Sequence, residues 1–182
     1  MKENILEIKK LIPSKICQKI IHYFDDNYYD AGVGVGNVDK EIRNCVTRSI
    51  LKTKSFGEKI VSNYVKNKLQ ACAEHYKKQH GNFHYSKISQ LDILKYDSNN
   101  YKAGYTFHVD VGDKCAERHI SISICLNNDF DGGEFVFDLP GEKYQVGQNI
   151  GDALIFPSNF LFPHQVNQIT RGTRYALIGW II

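Results

Sequence analysis

The chain has 182 residues, enough for one domain that buries a hydrophobic core without disulfide or metal cross-links. Hydrophobic residues make up 42% and charged residues 24%, as in ordinary globular proteins, and a formal net charge of +3 is too small to indicate a nucleic-acid partner. The five cysteines are odd in number and none are spaced as C-x-x-C, which favours reduced thiols over a disulfide framework. The charged N-terminus does not fit a signal peptide and no apolar run is long enough for a membrane span, so we expect a soluble cytoplasmic protein.

Residues 1–85 carry mainly helical signals. After Pro13, apolar residues recur at intervals of three and four as far as Phe24, which predicts an amphipathic helix. A similar run over Phe56–His80 predicts a second, long helix. The glycine-rich stretch Tyr29–Asn37 between them is predicted to be a loop, and it lacks the G-x-G-x-x-G pattern of a dinucleotide site.

From about residue 86 the apolar residues alternate or form short runs, and turn residues separate them. The predicted strands are 87–96, 105–111, 119–126, 133–137, 153–157, 162–168 and 173–181. Seven or eight closely spaced strands predict a sandwich or jelly roll. We therefore predict one domain over 1–182 of mainly β, α+β class, in which the N-terminal helices pack on one sheet of a β core at 86–182.

The tetrapeptide Phe107-His108-Val109-Asp110 is the sharpest chemical signal. Residues two apart in a strand project to the same side, so His108 and Asp110 place an imidazole beside a carboxylate. His164, in a later strand, supplies a third candidate ligand. Two histidines and one carboxylate on one face of a metal leave positions open for substrates, as in non-haem iron(II) oxygenases. An H-x-D pair alone is weak evidence, because a histidine in a strand is usually structural.

Arg174 strengthens this interpretation. It follows His164 by ten residues, across a turn and at the start of the last predicted strand. A guanidinium binds a carboxylate through two parallel hydrogen bonds, and a metal that chelates a 2-oxo acid needs such a partner for the acid's distal carboxylate. By itself Arg174 would be interpreted as an exposed residue at a strand end.

The order of motifs in the second half resembles a known family. The motifs are Tyr96 with YTFHVD at 105–110, LNNDFDGGEF at 126–135, GDALIFP at 151–157, PHQV at 163–166 and RYALIGW at 174–180. Together they resemble the prolyl 4-hydroxylase branch of the 2-oxoglutarate/iron(II) oxygenases, over about half of the chain. The N-terminal half is similar only loosely, through an early helix and Ile42-Arg43-Asn44.

The resemblance implies a fold, a reaction and roles for residues. The fold is a double-stranded β-helix (a jelly roll of cupin type) with N-terminal helices. The reaction converts 2-oxoglutarate to succinate and CO2 with O2 while a C–H bond is hydroxylated, with ascorbate as a candidate reductant. His108, Asp110 and His164 would bind Fe(II), and Arg174 the distal carboxylate of 2-oxoglutarate. Tyr96 would hydrogen-bond the co-substrate, or be an ordinary strand tyrosine.

Two positions depart from the family pattern. Many prolyl hydroxylases have lysine where Arg174 stands, which leaves its role intact. The oxygen-sensing members have a tyrosine at the position of Cys125 that supports the distal carboxylate. Either Cys125 packs there as a small apolar residue, or another hydroxyl such as that of Ser123 takes the role.

The substrate side is less specified. By family position Arg43 approaches the substrate, although a helix-face arginine is an equal alternative, and Trp180 forms a wall of the pocket or fills the core. The loops Tyr28–Asp39 and Val111–Arg118 are candidate lids. The remaining histidines are interpreted as structural or solvated: His75, His80, His84 and His119.

The leading hypothesis is an oxygenase that hydroxylates a protein or peptide substrate, with peptidyl proline as the first candidate. The alternatives are the same chemistry on a free amino acid, small metabolite or nucleobase, and a cupin-like binding module without turnover. The retained ligands and Arg174 argue against the last. Zinc, manganese, nickel or cobalt would fit the same ligands as iron. The sequence indicates no oligomeric state.

Overall fold

Two antiparallel sheets carry the chain's second half, and both recruit strands from the first half. The computed structural model describes residues 1–33, 36–81, 84–85, 87–112 and 115–182. The helices are α1 (Ser14–Phe24) and α2 (Phe56–His80). The strands are β1 (Leu6–Ile8), β2 (Tyr29–Asp30), β3 (Arg43–Asn44), β4 (Val46–Ser49), β5 (Ile88–Asp97), β6 (Gly104–His108), β7 (Ile120–Cys125), β8 (Phe130–Gly132), β9 (Phe135–Leu139), β10 (Glu142–Val146), β11 (Ala153–Pro157), β12 (His164–Val166) and β13 (Ile169–Ile181).

The larger sheet has eight strands and the smaller one five. The larger runs in the order β1-β11-β7-β13-β5-β4-β2, with β8 paired to β13 outside that path. The smaller runs in the order β10-β9-β12-β6-β3. All strand pairs in both sheets are antiparallel. This two-sheet architecture confirms the predicted mainly β jelly roll.

Each central strand of the larger sheet has two buried faces. Along β13, Leu177 and Ile181 belong to one hydrophobic cluster, whereas Ile178 and Trp180 belong to another. The first cluster contains residues of both helices, and the second contains residues of the smaller sheet. Because side chains alternate along a strand, one face of β13 packs on the helices and the other faces the second sheet.

Helix α2 has a clear beginning and one buried face. The Ser55 hydroxyl accepts a hydrogen bond from the Glu58 N–H, and the Glu58 carboxylate accepts one from the Ser55 N–H, a capping box that satisfies two free donors. Its buried residues follow helical spacing and include Val61, Val65 and Leu69. Burying a side chain of this size stabilises the folded state by about 1.5–3 kcal/mol.

Among the described residues, no helix is long and apolar enough to cross a membrane.

The N-terminal part differs from its prediction. Residues 1–85 contain the two predicted helices, but they also contain the four short strands β1 to β4. Those strands are two to four residues long, too short for an alternating pattern to be recognised. Strands β8 and β10 were also missed, and β6 ends at His108 rather than at residue 111. The predicted lid loops include residues 34–35 and 113–114, which lie outside the described residues. Residue 86, near which the predicted β region begins, also lies outside them.

Candidate active site

Strand pairing brings the three predicted metal ligands together. His108 is the last residue of β6, His164 is the first of β12, and the antiparallel register places them directly opposite each other. Their ring centroids are 4.3 Å apart. Asp110 lies two residues beyond the end of β6, and one potential ligand atom from each of the three lies within 4.8 Å of the others. The sequence motif therefore forms one compact cluster.

Main-chain carbonyls orient both imidazoles. Nδ1 of His108 lies 2.8 Å from the Thr106 carbonyl oxygen, and Nδ1 of His164 lies 3.0 Å from that of Phe162. A carbonyl only accepts, so each Nδ1 carries the proton and each Nε2 is left with its lone pair. The Nε2 atoms of His108 and His164 lie 3.7 and 3.6 Å from carboxylate oxygens of Asp110. All three donor groups thus face one point.

The protonation states suit a cation. Burial, with the neighbouring His164 acting in the same direction, lowers the pKa of His108 to about 3, so His108 is neutral near pH 7. Burial alone would raise the pKa of Asp110, but His164, His108 and a hydrogen bond from Ser121 outweigh it and the pKa is lowered. The donor set is therefore the neutral His108 imidazole, the Asp110 carboxylate and Nε2 of His164, and two imidazole nitrogens with one carboxylate fit Fe(II).

A second layer of contacts fixes this cluster. The Ser121 hydroxyl donates to Oδ2 of Asp110 at 2.5 Å, and a hydrogen bond of 2.8 Å joins it to the Ser158 hydroxyl. The Phe135 ring stacks on His164 with centroids 5.0 Å apart, and the Tyr105 ring stacks on His108. Aromatic walls restrict water, and the serines orient the carboxylate, as outer contacts of metal ligands commonly do.

The cluster opens into a cavity of about 620 Å³ that lies between the two sheets. Its wall contains the predicted residues Arg43, Tyr96, Arg174 and Trp180 along with the three ligands. The structure thus brings every predicted site residue to one cavity. This volume is within the usual range for small-molecule and co-substrate pockets.

Arg174 is buried without a counter-ion. Its side chain is 2% exposed, and no described carboxylate lies within 4.0 Å of its guanidinium. Its side-chain hydrogen bond is to Gln148, with 3.4 Å between Nη2 and Oε1. A buried, unpaired cation is costly, so its place on the wall of a cavity indicates an anionic ligand. A dicarboxylic co-substrate supplies such a group.

Tyr96 lies beside Arg174 on the paired strand β5, fully buried at 1% exposure. Burial raises the pKa of its hydroxyl, with Cys45 nearby adding to the effect, so the phenol stays protonated and can donate a hydrogen bond. Tyr96 lines the same cavity as the three candidate ligands and also belongs to the hydrophobic cluster between the sheets.

Arg43 lies on β3, at the edge of the smaller sheet, so the alternative of a helix-face arginine is wrong. Its Nη1 donates to the Gly32 carbonyl at 2.9 Å, and its guanidinium lies 4.8 Å from the centroid of the Tyr105 ring. The buried Nε makes no hydrogen bond. Arg43 also lines the cavity, and a cation in its wall is consistent with a role in substrate binding.

Trp180 is 5% exposed and forms part of the wall near Asp110. The guanidinium of Arg118 lies 3.7 Å from the centroid of its ring. Arg118 also donates to the Asp110 carbonyl at 3.0 Å and to the Gln90 side chain at 2.9 Å. Trp180 therefore serves both proposed roles, as a core residue and as a cavity wall.

Several residues of the cavity wall were not predicted from the sequence, and Asp92 is one of them. Asp92 on β5 is 3% exposed, lines the cavity and has no cationic side chain within 4.0 Å of its carboxylate among the described residues. Burial raises its pKa, although Gln90 and Ser49 act in the opposite direction. Asp92 shares a strand face with Leu94 and Tyr96, so the period-two pattern could have located it.

The other histidines stand apart from the metal cluster. His75 and His84 are exposed, and His80 lies against Tyr76 with ring centroids 4.2 Å apart. His119 joins neighbouring segments through its main chain. Among the residues that the structure describes, His108, Asp110 and His164 are the group with metal-binding geometry.

Comparison with known proteins agrees with this site. The sequence model of the 2OG-Fe(II) oxygenase superfamily matches residues 92–182. A PKHD-type hydroxylase from Idiomarina loihiensis is 28% identical over 183 residues, covering 97% of this chain and 77% of that protein. A PKHD-type hydroxylase from Colwellia psychrerythraea is 37% identical over 84 residues, which cover 43% of this chain and 37% of its own length.

Solved structures share the fold. A Trichoplax adhaerens prolyl hydroxylase, in complex with a peptide fragment of the hypoxia inducible factor oxygen degradation domain, has a TM-score of 0.79 at 16% identity, covering 98% of this chain and 83% of its own. A Pseudomonas putida prolyl-4-hydroxylase has a TM-score of 0.72 at 21% identity, and the match covers 97% of this chain and 91% of that enzyme. At these identities the likeness establishes the jelly-roll fold.

The jelly roll and its His-Asp-His cluster define an Fe(II)-dependent oxygenase class. The match over half of the chain shows that this protein belongs to the 2OG-Fe(II) oxygenase superfamily. It is thus an oxidoreductase, and membership implies Fe(II), 2-oxoglutarate and O2 as its cofactor and co-substrates.

Proposed function

We propose that this protein hydroxylates a residue of a peptide or protein, with peptidyl proline as the first candidate, and that His108, Asp110 and His164 hold the iron. One observation carries the proposal: the three ligand groups and the buried, counter-ion-free Arg174 line the same cavity. A decayed, purely structural cupin would have no reason to keep a buried cation at a chelating site.

Each residue has a defined task at this site. The Nε2 lone pairs of His108 and His164 and the Asp110 carboxylate would hold the metal as its three protein ligands. Bound iron supplies the oxidative chemistry that couples decarboxylation of 2-oxoglutarate to hydroxylation. Arg174 binds the distal carboxylate of that co-substrate through its guanidinium.

The remaining wall residues orient the reactants and limit water. The Tyr96 hydroxyl, protonated because of its burial, donates a hydrogen bond to the co-substrate. Phe135 and Tyr105 pack on the two histidine rings and shield them from solvent. On the substrate side, Arg43 contributes its guanidinium to the cavity wall and Trp180 an apolar face.

Several observations support a peptide as the substrate. The Trichoplax relative of this fold binds a peptide, and its structure covers 98% of this chain. Arg43 brings a guanidinium to the cavity wall, and its N–H groups suit a peptide carbonyl. The PKHD-type hydroxylases are related in sequence over as much as 97% of this chain, which supports the hydroxylation reaction and leaves the substrate to the first two observations.

A free amino acid is the second candidate substrate, and Asp92 favours it. The cavity holds this buried carboxylate together with the guanidinium groups of Arg43 and Arg118. An acid and a cation on one wall complement the ammonium and carboxylate groups of a zwitterion. This alternative retains the same metal and the same co-substrate.

The deciding experiment supplies the purified protein with Fe(II), ascorbate and 2-oxoglutarate and measures succinate. Conversion should occur even without a substrate, and His164→Ala should abolish it because one imidazole ligand is lost. Absence of succinate from the wild-type protein would refute the enzyme and favour a binding module. Peptide libraries and free amino acids are then tested as substrates, and a product is recognised by a mass gain of one oxygen atom. Products from free amino acids alone would refute the proposal of a peptide substrate.

A further inference from the structure

Arg174 lines a small cavity together with Cys125 and Gln148. The position at which related oxygen-sensing enzymes carry a tyrosine is Cys125, and its thiol is directed to the Asn127 carbonyl at 3.0 Å. Cys125 is 1% exposed and lacks a hydroxyl for a carboxylate or a guanidinium. The support for Arg174 must therefore come from another residue.

Gln148 fills that place. Its Oε1 accepts a hydrogen bond from Nη2 of Arg174 at 3.4 Å, and its Nε2 donates to the main-chain carbonyl of Ser123 at 3.2 Å. These two bonds determine the orientation of the amide, with oxygen toward the guanidinium and nitrogen toward β7. Gln148 thereby connects Arg174 to the strand that lies next to it in the larger sheet.

The location of Gln148 shows that it acts through Arg174. A small cavity of about 140 Å³ lies behind the guanidinium, lined by Arg174, Gln148, Cys125 and Phe135 among others. Gln148 does not line the larger cavity that contains the iron ligands, whereas Arg174 lines both. Without the glutamine, a long arginine side chain has room to turn into the small cavity.

The loop that carries Gln148 is firmly held. The Gly151 N–H donates to the Cys125 carbonyl at 2.8 Å, and the Ile12 N–H donates to the Gly151 carbonyl at 3.2 Å. The Asp152 carboxylate accepts from the N–H groups of Asn149 and Lys10. A loop with so many bonds to neighbouring strands places the glutamine reproducibly, which a positioning residue requires.

We propose that Gln148 is a positioning residue for the co-substrate: it holds the Arg174 guanidinium toward the iron cavity and so sets the affinity for the distal carboxylate of a 2-oxo diacid. The inference rests on the proposed role of Arg174. It differs from the two alternatives that the sequence offered: the Cys125 thiol donates to the Asn127 carbonyl, and Ser123 holds Gln148 through its main-chain carbonyl.

The test measures binding rather than turnover. Protein loaded with Mn(II), a redox-stable substitute for Fe(II), is titrated calorimetrically with 2-oxoglutarate without O2. Gln148→Ala should raise the Kd roughly tenfold, the scale of one hydrogen bond to a charged group. Gln148→Glu should raise it further, because the new carboxylate pairs with Arg174 and repels the ligand. Gln145→Ala, on the exposed part of the preceding strand β10, should leave the Kd unchanged.

A second ligand separates positioning from general damage. 2-Oxobutanoate has the same chelating head and no distal carboxylate, so its affinity should be equal in the wild type and in Gln148→Ala. Equal weakening of both ligands, or a Kd for 2-oxoglutarate within twofold of the wild type, would overturn the role of Gln148. If Gln148→Ala fails in this way while Arg174→Met still weakens the binding of 2-oxoglutarate, only the role of Gln148 is refuted and the proposed function stands. A wild-type protein that binds no 2-oxoglutarate contradicts the proposed function itself.

Discussion

The guanidinium carbon of Arg174 lies 5.5 Å from the centroid of the Tyr96 ring, and the two residues are direct partners on β13 and β5. Both are almost fully buried, at 2% and 1% exposure. A cation over an aromatic face gains some stabilisation, but less than a paired carboxylate provides. The pair therefore forms a binding surface that is incomplete without an anion.

Arg174→Met removes the cation and keeps most of the side-chain volume. We expect the affinity for 2-oxoglutarate to fall at least about a hundredfold, because two charge-assisted hydrogen bonds are lost. In the absence of ligand, thermal unfolding should shift upward, since an unpaired buried charge disappears. Calorimetry measures the first effect and a melting curve the second. Unchanged dependence on 2-oxoglutarate would contradict the role of Arg174.

Ser121→Ala tests the contact that orients Asp110. Losing the 2.5 Å hydrogen bond to the carboxylate should weaken metal binding by about 10–100-fold, as for other outer contacts of metal ligands. The measurement is a calorimetric titration of the metal-free protein with Mn(II). Ser89→Ala is the matched control, because the Ser89 hydroxyl contacts the Trp180 carbonyl and not the cluster. Equal Mn(II) affinity in both variants would show that Ser121 is not needed.

Gly179→Ala tests how α2 packs on the larger sheet. A Cβ at residue 179 would lie 2.5 Å from Cδ2 of Leu69, which is completely buried. We expect a loss of about 1–3 kcal/mol in the free energy of unfolding, measured with denaturant, because the site has no spare room. Gly147→Ala is the control, since its Cβ would meet nothing within 4 Å. Adding Leu69→Ala should cost less than the sum of the two single changes, and strict additivity would argue against the contact.

The sequence predicted the metal cluster because its signals are local. The H-x-D pair depends on a two-residue spacing, which is short enough for His108, at the end of β6, and Asp110, just beyond it, to reach one point. Arg174 was predicted from its distance along the chain to His164 and from the family resemblance. Both helices and all seven predicted strands appear in the structure, with shifted ends. The spacing of the apolar residues and the sequence motifs were sufficient to predict these elements.

The missed features depend on how loops bring distant residues together. Gln148 lies in a loop between β10 and β11 with no periodic pattern, so nothing in the chain indicates that its amide faces Arg174. The partner strand of β3 is β6, some sixty residues farther along, and a two-residue strand has no signal of its own. Arg43 was therefore located by resemblance, while its strand was not predicted.

Asp92 provides a prediction about stability and pH. Burial raises its pKa in the folded state above the value in the unfolded chain, against smaller opposing effects of Gln90 and Ser49. A raised carboxyl pKa means that the folded state holds its proton more tightly. The stabilising contribution is then complete below the unfolded pKa and is lost as the pH rises through the folded pKa. Above the folded pKa the charged carboxylate of Asp92 destabilises the fold.

Asp92→Asn should therefore raise the free energy of unfolding by about 1 kcal/mol at pH 7.5 or so, a typical gain when a functional residue is neutralised. The gain should shrink steadily as the pH falls toward the acid range, because the wild-type side chain then becomes neutral as well. Denaturant unfolding of both proteins over a pH series measures this. Asp138→Asn, at an exposed position on β9, controls for a general charge effect. A gain that is independent of pH would show that the charge of Asp92 is not the cause, and a loss would indicate that the carboxylate is already satisfied in the fold.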